Sequence, residues 1–256
     1  MQPIKLHYSS SKLNWGDQLS PVICKMVSGR DIIHAKPGKC DMMAIGSILS
    51  RAREHMFAKK IHIWGSGFIE PIAKHKTRHY IHALRGKKSA ELLSNVQVSV
   101  FGDPGLLCDR LIPNHKDIPK QYDLGIVPHY SERKNPDYLA YMNNNPDIAF
   151  IDVFSSTVAF LESLASCRFV LSSSLHGLIA ADALGIPNAR LKISDRIRGG
   201  NFKYDDYYSI YDIEKPQSLS LKETSCNALS RINDSYIRPN LPGIKQSLID
   251  AFPFKD

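Results

Sequence analysis

Residues 172–177, which read SSSLHG, have the side chains and the local backbone expected of an anion-binding site. The short segment before them, RFVL, is typical of a buried parallel strand, and the residues after them predict a helix that ends at Gly185. Ser174 is the expected N-cap, so His176 lies in the first helical turn, where backbone N–H groups and the helix dipole favour phosphate or carboxylate. A purely structural strand-to-helix junction explains the same pattern equally well.

A second set of polar residues follows the first predicted strand, residues 4–8. Asn14, Gly16 and Asp17 are expected in a loop before a helix that the pattern places at about residues 21–27. A polar residue beside glycine in such a loop either stabilises a turn or contacts a ligand, and the sequence leaves both interpretations open.

Three more candidates stand at the ends of other predicted strands. Arg85 follows a strand predicted over residues 79–84, and His129 and Tyr130 follow one predicted over residues 123–128. The carboxyl ends of parallel strands are where open α/β sheets bind ligands. For Arg85, an exposed ion pair is an equally good explanation.

Strands and helices alternate in two successive halves. Residues 112–121 contain two prolines and little to bury, so we predict a linker there and domains at 1–114 and 121–256, with the last helix able to pack back on the first domain. Gly-Ser turns follow the strands predicted at 41–45 and 61–64. This pattern favours an α/β fold of two Rossmann-like parallel sheets facing a cleft.

Other segments carry clear local signals. The pattern predicts a strand over residues 96–101, a helix capped by Ser155 or Ser156, and a flexible basic, glycine-rich segment at 195–208. Residues 225–236 and 241–252 are predicted to form closing helices.

Composition narrows the classes of ligand and compartment. The 256 residues carry a net charge of +8 with scattered Lys and Arg, which suits an anionic ligand but matches no nucleic-acid motif. Five dispersed cysteines without a C-x-x-C pair argue against a disulfide framework or a zinc site. With no signal peptide or long apolar run, a reducing cytoplasm is the expected location.

Elimination leaves one kind of chemistry. The sequence has no H-E-x-x-H motif for a metal and no G-x-S-x-G elbow for a nucleophilic serine. What remains is a proton-handling histidine beside helix N–H donors, with arginine and lysine available. That set suits an anionic donor whose leaving group is phosphate.

Eight segments in order resemble the polysaccharide pyruvyltransferases, in particular the branch of bacterial exopolysaccharide ketal-pyruvate transferases. The resemblance covers about residues 4–212. The segments are NWGDQLSP (14–21), AIGSIL (44–49), IWGSGF (63–68), ALRGKKSAELL (83–93), FGDPGLL (101–107), DLGIVPHY (123–130), SSSLHGLIAADALGIP (172–187) and FKYDDYY (202–208).

The resemblance implies a fold like that of GT-B glycosyltransferases and an activity without metal or cofactor. In this activity the enolpyruvyl unit of phosphoenolpyruvate, the co-substrate, is transferred to two hydroxyls of a sugar in a polysaccharide or its lipid-linked precursor. The products are a pyruvate ketal and phosphate.

The resemblance also implies residue roles. His176 is the expected acid that protonates the methylene carbon of the donor, and Arg85 resembles the donor-binding arginine of the family. Some members have an arginine where this chain has Ser174, so Arg196, Arg198 or Lys203 is expected to supply that charge. The other expected contacts are Ser172, Ser173, Ser174, Asn14 and Gly16 for the donor, Tyr130 for the acceptor, and Asp17 and His129 as bases for the acceptor hydroxyls.

Two other functions stay open at this point. A glycosyltransferase that uses a nucleotide sugar has the same domain outline, since fold does not fix function. A non-catalytic protein that binds anionic sugars within a polysaccharide-synthesis complex is the other. Peripheral contact with the inner face of a membrane is also open.

Overall fold

The computed structural model describes residues 2–10, 14–213, 218–224, 226–234 and 236–255. Its helices and strands alternate along the chain. The helices are α1 (Trp15–Ser28), α2 (Lys87–Glu91), α3 (Pro136–Asn143), α4 (Thr157–Ala165), α5 (Leu175–Ala183), α6 (Phe202–Tyr208), α7 (Cys226–Asp234) and α8 (Leu241–Asp250).

A first parallel sheet contains β1 (Ile4–His7), β2 (Ile32–His34), β3 (Met42–Met43), β4 (His62–Trp64) and β5 (Tyr80–Ala83). Its strand order is β2-β1-β3-β4-β5. The inner strands β3 and β4 are mostly buried, as expected for a parallel sheet covered on both faces, whereas the edge strand β2 is largely exposed. Met43, Ile63 and Leu84 belong to one core cluster on this sheet.

A second parallel sheet contains β6 (Tyr122–Val127), β7 (Ala149–Phe150), β8 (Cys167–Ser172), β9 (Asn188–Lys192) and β10 (Ser218–Ser220). Its order is β10-β9-β8-β6-β7. Leu124, Phe169 and Leu191 belong to a core cluster of its own. The prediction of an α/β fold with two parallel sheets is confirmed.

Each sheet lies in its own compact unit. The first unit comprises residues 1–105, 198–214 and 239–256, and the second comprises residues 106–197 and 215–238. The predicted ranges, 1–114 and 121–256, differ from these units at residues 106–114, 198–214 and 239–256. Lys120 of the predicted linker donates hydrogen bonds to the carbonyls of Ala165 (2.7 Å) and Cys167 (2.9 Å), which attach that segment to the second unit.

The last helix belongs to the first unit. The indole N–H of Trp64, in β4, donates to the carbonyl of Leu248, in α8, over 2.8 Å. The rings of Trp64 and Phe252 pack edge to face with centroids 4.8 Å apart. These two contacts attach the last helix to the first sheet.

Three local predictions need correction. Helix α1 begins at Trp15 with Asn14 as its N-cap and contains Pro21, so residues 14–17 form a helix start and not a loop. Residues 96–101 pair with the first sheet through a single bridge, Leu84 to Phe101, and form no strand. The segment predicted to be flexible includes α6, whose side chains at Lys203 and Tyr204 are buried.

Other predictions are confirmed. Ser156 caps α4 by accepting a hydrogen bond from the backbone N–H of Ala159. Gly185 follows α5 with φ of 69°, the left-handed conformation that ends helices. Residues 11–13, part of the loop predicted before α1, lie outside the described residues, as do 225 and 235 of the predicted helix at 225–236. Within the described residues, no helix is long and apolar enough to cross a membrane.

Candidate functional site

The predicted histidine junction lies at the switch point of the second sheet. From β6 the chain crosses to β7 on one side and then returns to β8 on the other. The loops after β6 and β8 therefore diverge, and ligands of open α/β sheets bind in the resulting crevice at the carboxyl ends of the strands. His129 follows β6, and His176 follows β8.

Ser172 holds the junction together. Its hydroxyl lies 3.1 Å from the carbonyl of Val127 and 2.8 Å from that of Ser174, and it accepts a hydrogen bond from the N–H of Ser174 over 3.0 Å. The side chain is fully buried. Ser172, predicted to contact the donor, thus has its hydroxyl engaged within the turn, and its contacts fix the path of the backbone into α5.

Ser173 joins the two loops. Its hydroxyl accepts a hydrogen bond from the backbone N–H of His129 over 2.7 Å, and its own N–H donates to the carbonyl of Val127. The His129 ring lies 2.7 Å through Nδ1 from the hydroxyl of Ser131 and packs against Tyr130 with centroids 4.3 Å apart. The structure therefore brings the predicted residues 129 and 130 to the same sheet edge as the serine turn.

Helix α5 begins close against this turn because residue 177 is glycine. A Cβ at Gly177 would lie 2.4 Å from the hydroxyl oxygen of Ser172, so an alanine there would collide with the serine turn. Ser174 occupies the N-cap position, as predicted, but its side chain makes no capping hydrogen bond. His176 lies in the first turn, half-buried, with its Nε2 atom shielded from solvent.

The first sheet has a switch point of its own between β1 and β3. The chain leaves β1 into the start of α1, where the N-cap Asn14 accepts from the N–H of Asp17 over 3.2 Å. The amide of Asn14 also donates to the Asp17 carboxylate over 2.8 Å. Burial raises the pKa of Asp17 to about 7, against the smaller opposing effects of Arg51 and Asn14. At neutral pH this carboxyl group therefore exchanges protons readily.

Two residues near Asp17 were not predicted. His7, the last residue of β1, lies 2.9 Å through Nδ1 from the carbonyl of Ala35, so Nδ1 is the donor and Nε2 is left as an acceptor. Arg51 lies 3.5 Å from that Nε2. Burial, together with the charge of Arg51, lowers the pKa of His7. The position of His7 at the end of a strand is the sequence signal that identifies it.

Arg85 has an environment different from the predicted one. Its side chain is fully buried, and its Nε donates to the carboxylate of Asp206 over 2.9 Å. The remaining guanidinium donors bond to the hydroxyl of Ser47 and the carbonyl of Phe68. Asp206 in turn accepts from the N–H and the hydroxyl of Ser89, each over 2.7 Å. Within the first unit Arg85 therefore fixes α6 and two loops to the sheet.

Two of the three cations predicted to replace the family arginine, Arg198 and Lys203, belong to the first unit. Arg198 forms an exposed ion pair with Glu70 at 2.8 Å, and this contact raises its pKa. Lys203 is buried, with its ammonium 5.1 Å from the ring centroid of Tyr204. Arg196, the third candidate, is in the second unit, one residue before its segment 106–197 ends.

The predicted site residues thus fall into two groups by unit. The second unit gathers, at one sheet edge, Ser172, Ser173, Ser174, His176, His129 and Tyr130; the first gathers Asn14, Gly16 and Asp17, and holds Arg85 in an internal ion pair. Gly177, His7 and Arg51 add to these sets.

Comparison with known proteins identifies the family of this chain. The family model described as polysaccharide pyruvyl transferase matches residues 3–195, well over half of the chain. An uncharacterized protein of Acanthamoeba polyphaga mimivirus is 27% identical over 227 residues, which are 84% of this chain and 76% of that protein. The structure of the wall teichoic acid polymerase TagF aligns with 98% of this chain and 84% of its own, at 10% identity and a TM-score of 0.41.

Proposed function

The chain belongs to the polysaccharide pyruvyl transferase family, and from this premise we propose that it transfers the pyruvyl unit of phosphoenolpyruvate to two hydroxyls of one sugar. The acceptor is a sugar of a polysaccharide or of its lipid-linked precursor. The observation that carries the proposal is the position of His176, in the first turn of α5 at the switch point of the second sheet. A proton donor there stands beside N–H groups that favour an anion.

The reaction consists of a protonation and two additions of hydroxyl groups. His176 protonates the methylene carbon of the donor, which becomes a methyl group and leaves an oxocarbenium-like carbon next to it. One sugar hydroxyl attacks that carbon and loses its proton to a base. The bond from this carbon to the phosphate oxygen then breaks, and the second hydroxyl closes the ketal. The two sugar hydroxyls release two protons. One makes up for the proton that His176 gave to carbon, and the other leaves with phosphate.

The serine turn supports the donor in two ways. The hydroxyl of Ser174 makes no capping bond and, with the N–H groups of the first turn of α5, is a donor for phosphate or carboxylate. The hydroxyls of Ser172 and Ser173 hold the turn itself. We assign the last two a positioning role, since an anion held by several fixed N–H groups needs a turn of defined shape.

Proton acceptors for the sugar hydroxyls are part of the same proposal. Asp17, with a pKa of about 7, is suited to accept a proton at neutral pH. His129 is the second candidate base, and Tyr130 beside it offers an aromatic face of the kind that packs against sugar rings.

Replacement of His176 tests the proposal. We expect His176→Gln to lower phosphate release from phosphoenolpyruvate, in the presence of an acceptor glycan, by about 10²- to 10⁴-fold, the usual contribution of general acid catalysis. His115→Gln is the matched control, because His115 is a half-buried histidine of the same unit that lies outside the switch point and bonds to the carbonyl of Ile112. Its activity should equal that of the wild type.

Two results would contradict the proposal at different levels. Unchanged phosphate release in His176→Gln removes His176 from the mechanism while leaving the reaction in place. Wild-type protein that binds phosphoenolpyruvate but gives no ketal product with any lipid-linked or polymeric sugar acceptor rejects the reaction itself. Product identity is read by mass spectrometry of the acceptor, which gains the mass of pyruvic acid less one water.

A further inference from the structure

A turn in the first unit holds two large apolar side chains out in solvent. Phe57 is 88% exposed and Met56 is 74% exposed, the highest values for large hydrophobic residues within the part of the chain that the structure describes. Single exposed apolar residues are common on protein surfaces, whereas two adjacent large ones at the tip of a turn are typical of interaction surfaces.

Hydrogen bonds and a buried residue fix the backbone of this turn. The N–H of Ala58 donates to the carbonyl of His55 over 2.9 Å, so Met56 and Phe57 are the two central residues of a β-turn. Arg78 donates to that same His55 carbonyl. Ala58 is buried. The exposed pair is therefore presented by an ordered backbone.

The residue before the turn is anchored as well. The Glu54 carboxylate accepts hydrogen bonds from the hydroxyl of Thr77 over 2.8 Å and from the N–H of Arg78 over 3.0 Å. Its Oε1 also lies 3.6 Å from Nε2 of His79. The negative charge of Glu54 is thus directed toward the protein and does not offset the basic surface around the turn.

Basic side chains flank the apolar pair in the chain and on a neighbouring turn. Arg53, Lys59 and Lys60 flank it in the chain and are exposed. The turn at residues 36–39, with the exposed Lys36 and Lys39, packs against Arg53, because a Cβ on Gly38 would lie 2.9 Å from its guanidinium. The nearby carboxylate of Asp41 is paired with Lys59.

A half-exposed aromatic ring lies against Lys60, the last of these basic residues. Tyr80, the first residue of β5, is 50% exposed and lies with its ring centroid 5.7 Å from the ammonium of Lys60. Aromatic rings of this kind prefer the headgroup level of a bilayer. Lys60 and Tyr80 mark the amino edge of the first sheet, whereas Asp17 and its neighbours lie at the carboxyl edge.

From this arrangement we infer that residues 53–60 dock the protein on an anionic membrane surface, with Met56 and Phe57 inserted among the headgroups and the surrounding lysines and arginines on acidic lipids. Apolar burial combined with several basic residues is the combination that gives peripheral binding. A protein partner would bury the apolar pair equally well. The excess of basic side chains next to the pair favours anionic headgroups, because Glu54 is held by hydrogen bonds toward the protein and Asp41 is paired with Lys59. The inference does not depend on the proposed reaction.

Co-sedimentation with lipid vesicles tests the inference. The wild type should bind vesicles of phosphatidylcholine and phosphatidylserine in equal parts and not vesicles of phosphatidylcholine alone. Met56→Ser with Phe57→Ser should lower the partition coefficient at least about tenfold, because two apolar side chains no longer enter the bilayer. Ile237→Ser is the matched control, since Ile237 is 65% exposed in the second unit, and it should bind as the wild type does.

Charge-reversal variants distinguish the effect of the basic side chains near the turn from the effect of net charge. Lys39→Glu with Lys60→Glu should abolish binding, whereas Lys116→Glu with Lys134→Glu, an equal change in net charge at exposed sites of the second unit, should leave most of it. Binding should also weaken as salt rises from about 0.1 M to about 1 M, where the screening length falls from about 10 Å to about 3 Å.

A fluorescent variant reports the insertion directly. Phe57→Trp should shift its emission to the blue when anionic vesicles are added, while Ile237→Trp should not, and the native Trp15 and Trp64 give a constant background because both are buried. Failure of the wild type to bind anionic vesicles overturns the inference. Equal binding by wild type and the Met56→Ser, Phe57→Ser variant overturns it too, whatever the outcome for pyruvyl transfer.

Discussion

Replacing Arg85 by methionine tests whether its guanidinium serves the fold or the donor. Arg85 and Asp206 are both fully buried, and methionine fills the space of the aliphatic part without the charge. Removing one partner of a buried pair leaves the other charge uncompensated, at a cost of about 3–5 kcal/mol. Asp206 keeps its two hydrogen bonds from Ser89, so we expect a value near the lower limit, about 3 kcal/mol.

Tryptophan fluorescence during urea unfolding measures this cost in the relevant unit. The chain has two tryptophans, and both Trp15 and Trp64 are buried in the first unit. Their emission therefore follows the unfolding of the unit that contains Arg85. The control is Arg198→Met, which removes an arginine from the exposed pair with Glu70 in the same unit and should change the midpoint little.

A second variant and a pH series sharpen the test. Arg85→Met combined with Asp206→Asn should regain most of the lost stability, because the buried charge is gone while an oxygen still accepts from Ser89. Burial already raises the pKa of the neighbouring Asp103 to about 6. Loss of Arg85 removes a nearby positive charge, so the destabilisation should be larger at pH 8 than at pH 5.

The opposite pattern would refute this reasoning. If Arg85→Met unfolds at the urea concentration of the wild type and binds phosphoenolpyruvate more weakly, the arginine contacts the donor, as the family resemblance implies, and its ion pair is not a requirement of the fold.

Two further predictions concern the switch points. Gly177→Ala should destabilise the second unit by about 1–3 kcal/mol, because the added methyl group meets the Ser172 hydroxyl at 2.4 Å. The destabilisation should be smaller in a Ser172→Ala background. Equal destabilisation in thermal melts of both backgrounds would contradict the close contact. The pKa of Asp17 is raised from 3.8 to about 7, so the folded state disfavours its charge, and the stability present below pH 3.8 is lost as the pH rises to about 7. Asp17→Asn should remove that loss, so the variant should be more stable than the wild type above pH 7 and equally stable below pH 3.8. A difference in urea midpoint that does not depend on pH would contradict this prediction.

Local signals of the sequence were sufficient where a few neighbouring residues decide the structure. The cap of α4 and the stop at Gly185 depend on residues within one turn. The sequence predicts Ser155 or Ser156 as the cap, which is Ser156, and Gly185 as the stop. The start of α1 was misplaced because Pro21 is favoured at the first helical position, whereas here it lies inside a helix that Asn14 already caps. The cap signal at Asn14, followed by Asp17 three residues later, is the better indicator.

Local sequence signals do not predict contacts between residues that are far apart in the chain. Arg85 follows a strand, like a ligand-binding residue, but its partner Asp206 is 121 residues away in the chain. Likewise, the apolar alternation of residues 96–101 predicts a strand, yet the sheet offers that segment one bridge at Leu84. The candidate histidine junction was predictable because its strand, turn and helix are contiguous.

The path of the chain between the two units has a consequence for synthesis. The ribosome completes the first sheet by residue 83, but Trp64 finds its carbonyl partner at Leu248, and Phe252 covers its ring. The second unit, residues 106–197 and 215–238, is made in between. Until the last helix has left the exit tunnel, the nascent first sheet therefore lacks the contacts of Trp64 with Leu248 and Phe252. A chain cut short before residue 239 lacks both contacts, and we expect such a fragment to be recognised by chaperones and proteases.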